Sequence, residues 1–196
     1  MRRATLIGIM TAVLPTLANS APVQWSSAVG GNDHWYEFVP TFLSWNDARM
    51  ASLNSQHMGS NGYLATITSQ AEQDFLNSNW LFNSNYWLGG SDQLSEGDWI
   101  WVDGPEAGQA VGGALYDNWN AGEPNNLFFN VPPENYMYGW VNADGAWNDN
   151  PGTQQYFYLV EYGGQPQAVP LPASLPLLLC GIAILGRMRH GRGKNV

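Results

Sequence analysis

Basic residues are almost missing from the body of this sequence. Seven Lys and Arg occur in 196 residues, and six of them, Arg2, Arg3, Arg187, Arg189, Arg192 and Lys194, sit at the two ends. Arg49 alone lies between, against 16 acids spread from Asp33 to Glu161. Binding nucleic acid means neutralising phosphates with Lys and Arg, so no nucleic-acid partner is expected. Cysteine is scarcer still. Cys180 is the only one, which rules out an intrachain disulfide and a cysteine-based zinc site. No internal repeat is apparent. Three histidines, His34, His57 and His190, stand apart, and no Ser/His/Asp grouping can be read from their spacing. A carboxylate pair for glycoside hydrolysis could be drawn from the 16 acids, but nothing singles one out, so no enzyme is expected.

Aromatics and glycine are abundant instead. The chain has 10 Trp, 9 Tyr and 22 Gly, and 44% of its residues are hydrophobic. That mix excludes a disordered chain and fits one loop-rich domain held by large rings, with short appendages.

Both appendages are legible. Residues 1–20 read as a secretory signal peptide: Arg2-Arg3 form the positive start, an apolar run follows from Leu6 to Leu17, and Ala18-Asn19-Ser20 offers small residues before a cleavage point. Residues 165–196 have three parts. Val169-Pro170-Leu171-Pro172 precedes an apolar stretch from Ala173 to Gly186, and Arg187, Arg189, Arg192 and Lys194 close the chain. The apolar part is marginal in length for a bilayer core of about 30 Å, and just spans it with Leu171 included and the arginines snorkelling. The basic tail then stays cytoplasmic and the acidic middle lies outside. This tail resembles the PEP-CTERM sorting signals of Gram-negative bacteria, with Leu171 in place of the usual Glu. The resemblance implies a transient membrane anchor and a sorting enzyme, exosortase; a plain anchor that stays attached is the alternative. Cys180 lies inside the apolar run as a filler.

Residues 21–164 form the folded part. Ser44-Trp45-Asn46-Asp47 is a capping box with Asp in place of Glu, and opens a helix through Ala48 and Ala51 towards Asn54. Ser69-Gln70-Ala71-Glu72 is a full capping box and opens a helix expected to bury Ala71, Phe75 and Leu76. Strands are expected at Trp35–Val39, Tyr63–Ile67, Tyr86–Gly89, Trp99–Asp103, Tyr136–Val141 and Tyr156–Tyr162. Between Gly104 and Glu134 runs a long Gly-, Pro- and Asn-rich stretch, of the kind usually kept for function. Early helices and late strands predict an α+β fold.

Three short segments in that region carry the chemistry: Glu123-Pro124-Asn125, Glu134-Asn135 and Trp147-Asn148-Asp149. They follow the runs Tyr86-Trp87-Leu88-Gly89-Gly90 and Trp99-Ile100-Trp101-Val102-Asp103-Gly104. In this order they resemble a C-type lectin-like domain over about residues 33–161, along with Trp35-Tyr36, Trp45-Asn46-Asp47-Ala48-Arg49, Tyr63-Leu64-Ala65-Thr66-Ile67 and Ser69-Gln70-Ala71-Glu72. The resemblance implies two helices flanking small antiparallel sheets, with a long calcium-binding loop. It implies a calcium ion held by Glu123, Asn125, Glu134, Asn148 and Asp149. It also implies a cis bond at Pro124, and sugars of the mannose, glucose or N-acetylglucosamine type.

The residue chemistry agrees. Calcium takes six to eight oxygen ligands at about 2.3–2.6 Å. Three carboxylates and two amide carbonyls supply five side chains and nearly balance the ion's charge. Two vicinal sugar hydroxyls would complete the set, each also donating to a Glu and accepting from an Asn. Asp92 and Glu96 match the spacing of a second calcium site, completed by Asn126 and Glu134; an exposed polar turn is the plainer reading of Asp92 and Glu96.

Departures from the family pattern are plain. Its four usual cysteines fall at Ser52, Tyr136, Gly152 and Val160 here. Packed rings and calcium must then replace the disulfides, which leaves the calcium-free long loop soft. The segment 126–133, with Leu127, Phe128 and Phe129, is also long, and is expected either to rim the site or to displace Glu134. Trp87, Trp99, Trp101 and Trp147 read as core rings, Tyr116 and Trp119 as core rings nearer the site, and His34 and His57 as surface or satisfied. The expected protein is an exported, cell-envelope or extracellular module that binds a glycan or exopolysaccharide through calcium. The rival is a calcium-independent protein-binding module of the same fold.

Overall fold

The structure, a computed structural model, describes residues 20–80, 84–127, 133–140 and 145–163. The signal-peptide and sorting-signal expectations fall on 1–19 and 164–196, outside the described residues, as do Phe128 and Phe129. Among the described residues no helix is long and apolar enough to cross a membrane.

In chain order the elements are strands β1 (Val23–Gln24) and β2 (Trp35–Leu43), helix α1 (Trp45–Leu53), strands β3 (Gln56–His57) and β4 (Ser60–Leu64) and helix α2 (Gln70–Asn79). Strands β5 (Tyr86–Ser91), β6 (Ile100–Trp101), β7 (Tyr136–Gly139), β8 (Trp147–Asn150) and β9 (Tyr156–Tyr162) follow. The expected α+β class and the two flanking helices are present. The sheet is mixed, because β5 runs parallel to β9 while the other ladders are antiparallel. Its order is β1-β2-β9-β5-β7-β8, with β4 also on β9 and β6 on β5.

Both helices start where their caps are written. The Ser44 hydroxyl accepts from the Asp47 N–H and donates to the Asp47 carboxylate. Trp45, Ala48 and Ser52 then face inward. Ser69 accepts from the Glu72 N–H. The expected inward face of α2 is corrected, however. Ala71 is exposed and Phe75 half-buried, while Glu72 and Gln73 are buried beside Leu76. The Glu72 carboxylate accepts from the Thr68 N–H and from the Tyr36 hydroxyl, and Gln73 Oε1 accepts from the Trp147 indole. Polar partners below the helix therefore set its rotation.

Strand limits differ from expectation by a few residues. Tyr63–Ile67 is a strand only to Leu64 and begins at Ser60, and Trp99–Asp103 shrinks to Ile100–Trp101. β8 was expected only as a motif; it pairs Trp147 through Asn150 with β7.

The side chains of β9 alternate between two cores, as strand geometry requires. Leu159 joins Tyr36, Ile67, Leu76, Tyr86, Trp101 and Trp147, while Tyr158, Val160 and Tyr162 join Trp45, Leu64 and Trp87. Trp87, Trp99, Trp101 and Trp147 are buried, and Tyr116 and Trp119 pack against the first core. The His34 imidazole pairs with the buried Glu161 carboxylate at 2.6 Å, a satisfied role. The four positions where cysteine is missing lie in adjacent pairs. A Cβ built on Gly152 would meet the Tyr136 ring, and one on Gly62 would meet both Ser52 O and Val160 Cγ1.

Candidate functional site

The β8 strand organises the site. The loop segment from 118 to 126 lies along it: the Trp147 N–H donates to Asn118 O at 2.7 Å, and the Asn120 N–H donates to Trp147 O at 2.9 Å. Trp119 and Trp147 form a parallel bridge, and their rings meet edge to face. This seam carries Glu123 and Asn125 to the strand that holds Asn148 and Asp149. The Glu123–Pro124 bond is cis, as the resemblance implied.

Asp149 is the hub. Its buried carboxylate accepts from the Asn125 N–H at 3.3 Å and the Asn126 N–H at 2.8 Å. Asn125 Oδ1 accepts from the Leu127 N–H, and Asn126 Oδ1 accepts from the Glu134 N–H, both at 2.8 Å. Glu134 is therefore tied back to the motif loop and is itself buried. Asn148 Oδ1 accepts from the Asp149 N–H, and its Nδ2 donates to the Tyr138 hydroxyl.

The carboxyls feel one another. Burial raises the Glu123 carboxyl above its ordinary range, and the nearby Asp149 charge raises it further. Burial and the charges of Asp149 and Glu123 push Glu134 up to about 7, against the pull of the Leu127 N–H. Buried Glu123 Oε2 has no hydrogen-bond partner. A buried carboxylate oxygen without a donor is costly unless something positive meets it. Among the described residues no three His, Cys, Asp or Glu side chains close into a ready metal cluster. Two of the five donors here are amides, and uncompensated carboxylates repel. The arrangement offers oxygen alone, which is the donor chemistry of a hard divalent cation.

The second set is only partly assembled. Asp92 is buried, not part of an exposed turn: Oδ2 accepts from the Gly97 N–H at 2.9 Å and Oδ1 has no partner. Burial raises its carboxyl, and the charges of Glu96 and Asp149 add to that. Glu96 is exposed. A cavity of about 220 Å³ lies apart, lined by Trp45, Arg49, Gln93, Leu94 and Trp101 among others, and no residue of the five-member set lines it.

One participant was not read from sequence. Tyr138 touches Asn148 across the β7–β8 ladder. Alternation along Tyr136-Met137-Tyr138 hints at it, but the pairing needs β8 to be recognised as a strand.

Residues 43–160 match the family of the lectin C-type domain. The chain is 33% identical over 129 residues to a hepatic lectin of Gallus gallus, covering 64% of this chain and 53% of that protein. It is 35% identical over 163 residues to halomucin of Haloquadratum walsbyi, covering 75% of this chain but 2% of that protein. Among solved structures, the C-type lectin CEL-I from Cucumaria echinata superposes with a TM-score of 0.59 at 29% identity, covering 75% of this chain and 100% of the lectin. With the fold, the order of the motifs and their assembly on one strand in agreement, the chain belongs to the C-type lectin domain family.

Proposed function

We propose that the domain binds carbohydrate through a calcium ion held by Glu123, Asn125, Glu134, Asn148 and Asp149. The observation that carries this reading is the partnerless buried oxygen of Glu123, set among carboxyls that raise one another. Membership in a family of lectins supports the glycan as ligand. These residues fit the ion: all donors are oxygens, three are carboxylates, and the backbone donors around Asp149 and Glu134 fix their positions. When bound, calcium supplies coordination positions that neutral hydroxyl oxygens can fill. The Glu123 and Glu134 carboxylates accept from sugar hydroxyls, and the Asn125 and Asn148 amides donate to them. Vicinal hydroxyls of mannose, glucose or N-acetylglucosamine type suit this set. A single sugar buries few atoms, so its affinity is on the order of millimolar.

Asp92 and Asn126, with Glu96 at the surface, form a weaker auxiliary calcium site in this reading. Residues 1–20 and 165–196 support export and attachment at the cell envelope, where a glycan or exopolysaccharide is the partner and a sorting enzyme acts on the tail.

Calorimetric titration with calcium, then with sugars, tests the proposal. Heat of binding is expected for calcium, and sugar binding should vanish with EGTA. In the E123Q/N148D double variant, calcium affinity should fall about tenfold or more. An unchanged calcium titration in that variant removes the site assignment. Binding to a partner that persists in EGTA would favour the calcium-independent rival.

A further inference from the structure

Tyr138 faces Asn148 in the β7–β8 ladder. Its hydroxyl oxygen accepts a 3.0 Å hydrogen bond from Asn148 Nδ2. At the other end of the same amide, Oδ1 accepts from the Asp149 N–H at 2.8 Å. Turned over, the amide would set Nδ2 against the Asp149 N–H, donor against donor. The two bonds together therefore fix both the flip and the tilt of this side chain. An amide has two N–H donors and two oxygen lone pairs. The protein takes one of each, which leaves one N–H and one lone pair for anything outside.

The tyrosine is itself well held. Its ring is buried, meets Trp87 edge to face at 6.1 Å and lies tilted against Tyr156 at 5.1 Å. Two residues along β8 a similar bond recurs, to a tyrosine of β9, without the same setting. Asn150 Nδ2 donates to the Tyr156 hydroxyl at 3.4 Å, but Asn150 is buried and lies outside the five-residue set.

We infer that Tyr138 is the positioning residue for Asn148: its hydroxyl holds the amide so that the remaining oxygen lone pair serves the cation and the remaining N–H serves a sugar hydroxyl. This rests on the calcium and sugar reading above. Partners behind a first ligand commonly account for about a tenfold to hundredfold change in metal affinity.

The test is calorimetry on the full chain with calcium, and with mannose at saturating calcium, for Y138F and Y156F. Y138F keeps the ring and should weaken calcium about tenfold. Y156F loses the equivalent hydroxyl beside Asn150 and should leave calcium affinity within about twofold. In an N148A background, Y138F should add no further loss, because its effect runs through that amide. In calcium-free protein, the Asn148 side-chain amide protons should be resolved and slow to exchange in the wild type, and fast in Y138F. Equal calcium and mannose affinities for wild type and Y138F overturn the inference, as does an equal Y138F loss with and without Asn148. A wild type that takes up no calcium overturns the site reading instead, and the amide exchange then decides on Tyr138 by itself.

Discussion

Gly152 has a φ of +79°, and a Cβ added there would lie 2.3 Å from Tyr136 Cδ2. The Tyr136 ring is hemmed in, since it lies tilted at 4.5 Å against Trp45, whose backbone N–H donates to Gly152 O. Gly152→Ala should therefore cost about 2–3 kcal/mol from overpacking and left-handed backbone together, read as a lower urea midpoint with an unchanged slope. Combined with Y136A the loss should be less than the sum of the two, because removing the ring removes the clash. Single positions of this kind divide into those a sequence displays and those it hides. Glu123, Asn125, Asn148 and Asp149 were legible because the Glu-Pro-Asn and Trp-Asn-Asp motifs fix residue type at each place. Asp92 reads as part of an exposed turn because Gly90 to Gly97 is a polar, glycine-bounded segment; in the fold the Gly97 N–H closes the turn on its carboxylate and Asp92 is buried. Tyr138 was hidden because its role depends on a partner ten residues away in sequence.

Helix α2 is fastened by Glu72 and Gln73 where Ala71 and Phe75 were expected to face inward. Glu72 lies against the Tyr36 hydroxyl, which is also 3.3 Å from Glu161 Oε1, so a single phenolic hydrogen faces two carboxylates. Thr66 repeats the shortage: its Oγ1, with a single hydrogen to donate, lies 3.0 Å from a carboxylate oxygen of both Glu106 and Glu161. His34, Tyr63 and Asn32 complete the surroundings. Burial and the Glu161 charge push Glu72 up to about 7, and Glu161 raises His34 despite burial. Both groups bind protons more tightly in the fold than in the unfolded chain. Their contribution is therefore full at acid pH and is lost as pH rises, from about 4.5 through about 7 for Glu72 and from about 6.5 upward for His34. Thermal unfolding in EGTA should show stability falling by on the order of 2 kcal/mol over that window, and E72Q should flatten the decline. A wild-type profile as flat as that of E72Q would dismiss the idea. The caps of both helices were written in Ser44 and Ser69, so where each begins was legible. Their rotation was not, because a carboxylate that packs inward looks in sequence like any exposed one. β8 was missed for a related reason: Asn148, Asp149 and Asn150 are turn formers by type, and the ladder to Tyr136–Gly139 overrides that preference.

The assembled domain has no covalent cross-link to rely on, since the chain's only cysteine is Cys180. Each disulfide forgone is about 2–4 kcal/mol. Rings fill one of the two missing places, with Tyr136 over Gly152, but the stretch from Val102 to Asn135 still holds no strand among its described residues. Residues 108–111 are pinned to Trp99 and Trp101, and residues 118–126 to β8 through Asn118, Asn120 and the Asp149 carboxylate. Calcium gripping Glu123, Asn125 and Glu134 against that strand would close the stretch from both sides. At a concentration one hundred times its Kd, the ion adds about 2.7 kcal/mol, comparable to one disulfide, and should raise Tm by roughly 5–10 °C. Proteolysis can locate the effect. Trypsin has no site between Arg49 and Arg187, so the probe is chymotrypsin, with Leu115 and Leu127 both exposed on the loop. Leu127 follows the motif directly and its N–H is bound to Asn125 Oδ1, whereas Leu115 sits in a turn closed on Gly112. Calcium should therefore slow cleavage after Leu127 at least tenfold relative to EGTA, in proportion to the lowered population of the opened loop, and change cleavage after Leu115 much less. Equal protection at both leucines would mean that the ion stabilises the fold as a whole; equal rates at Leu127 with and without calcium would mean that it does not bind at this loop at all.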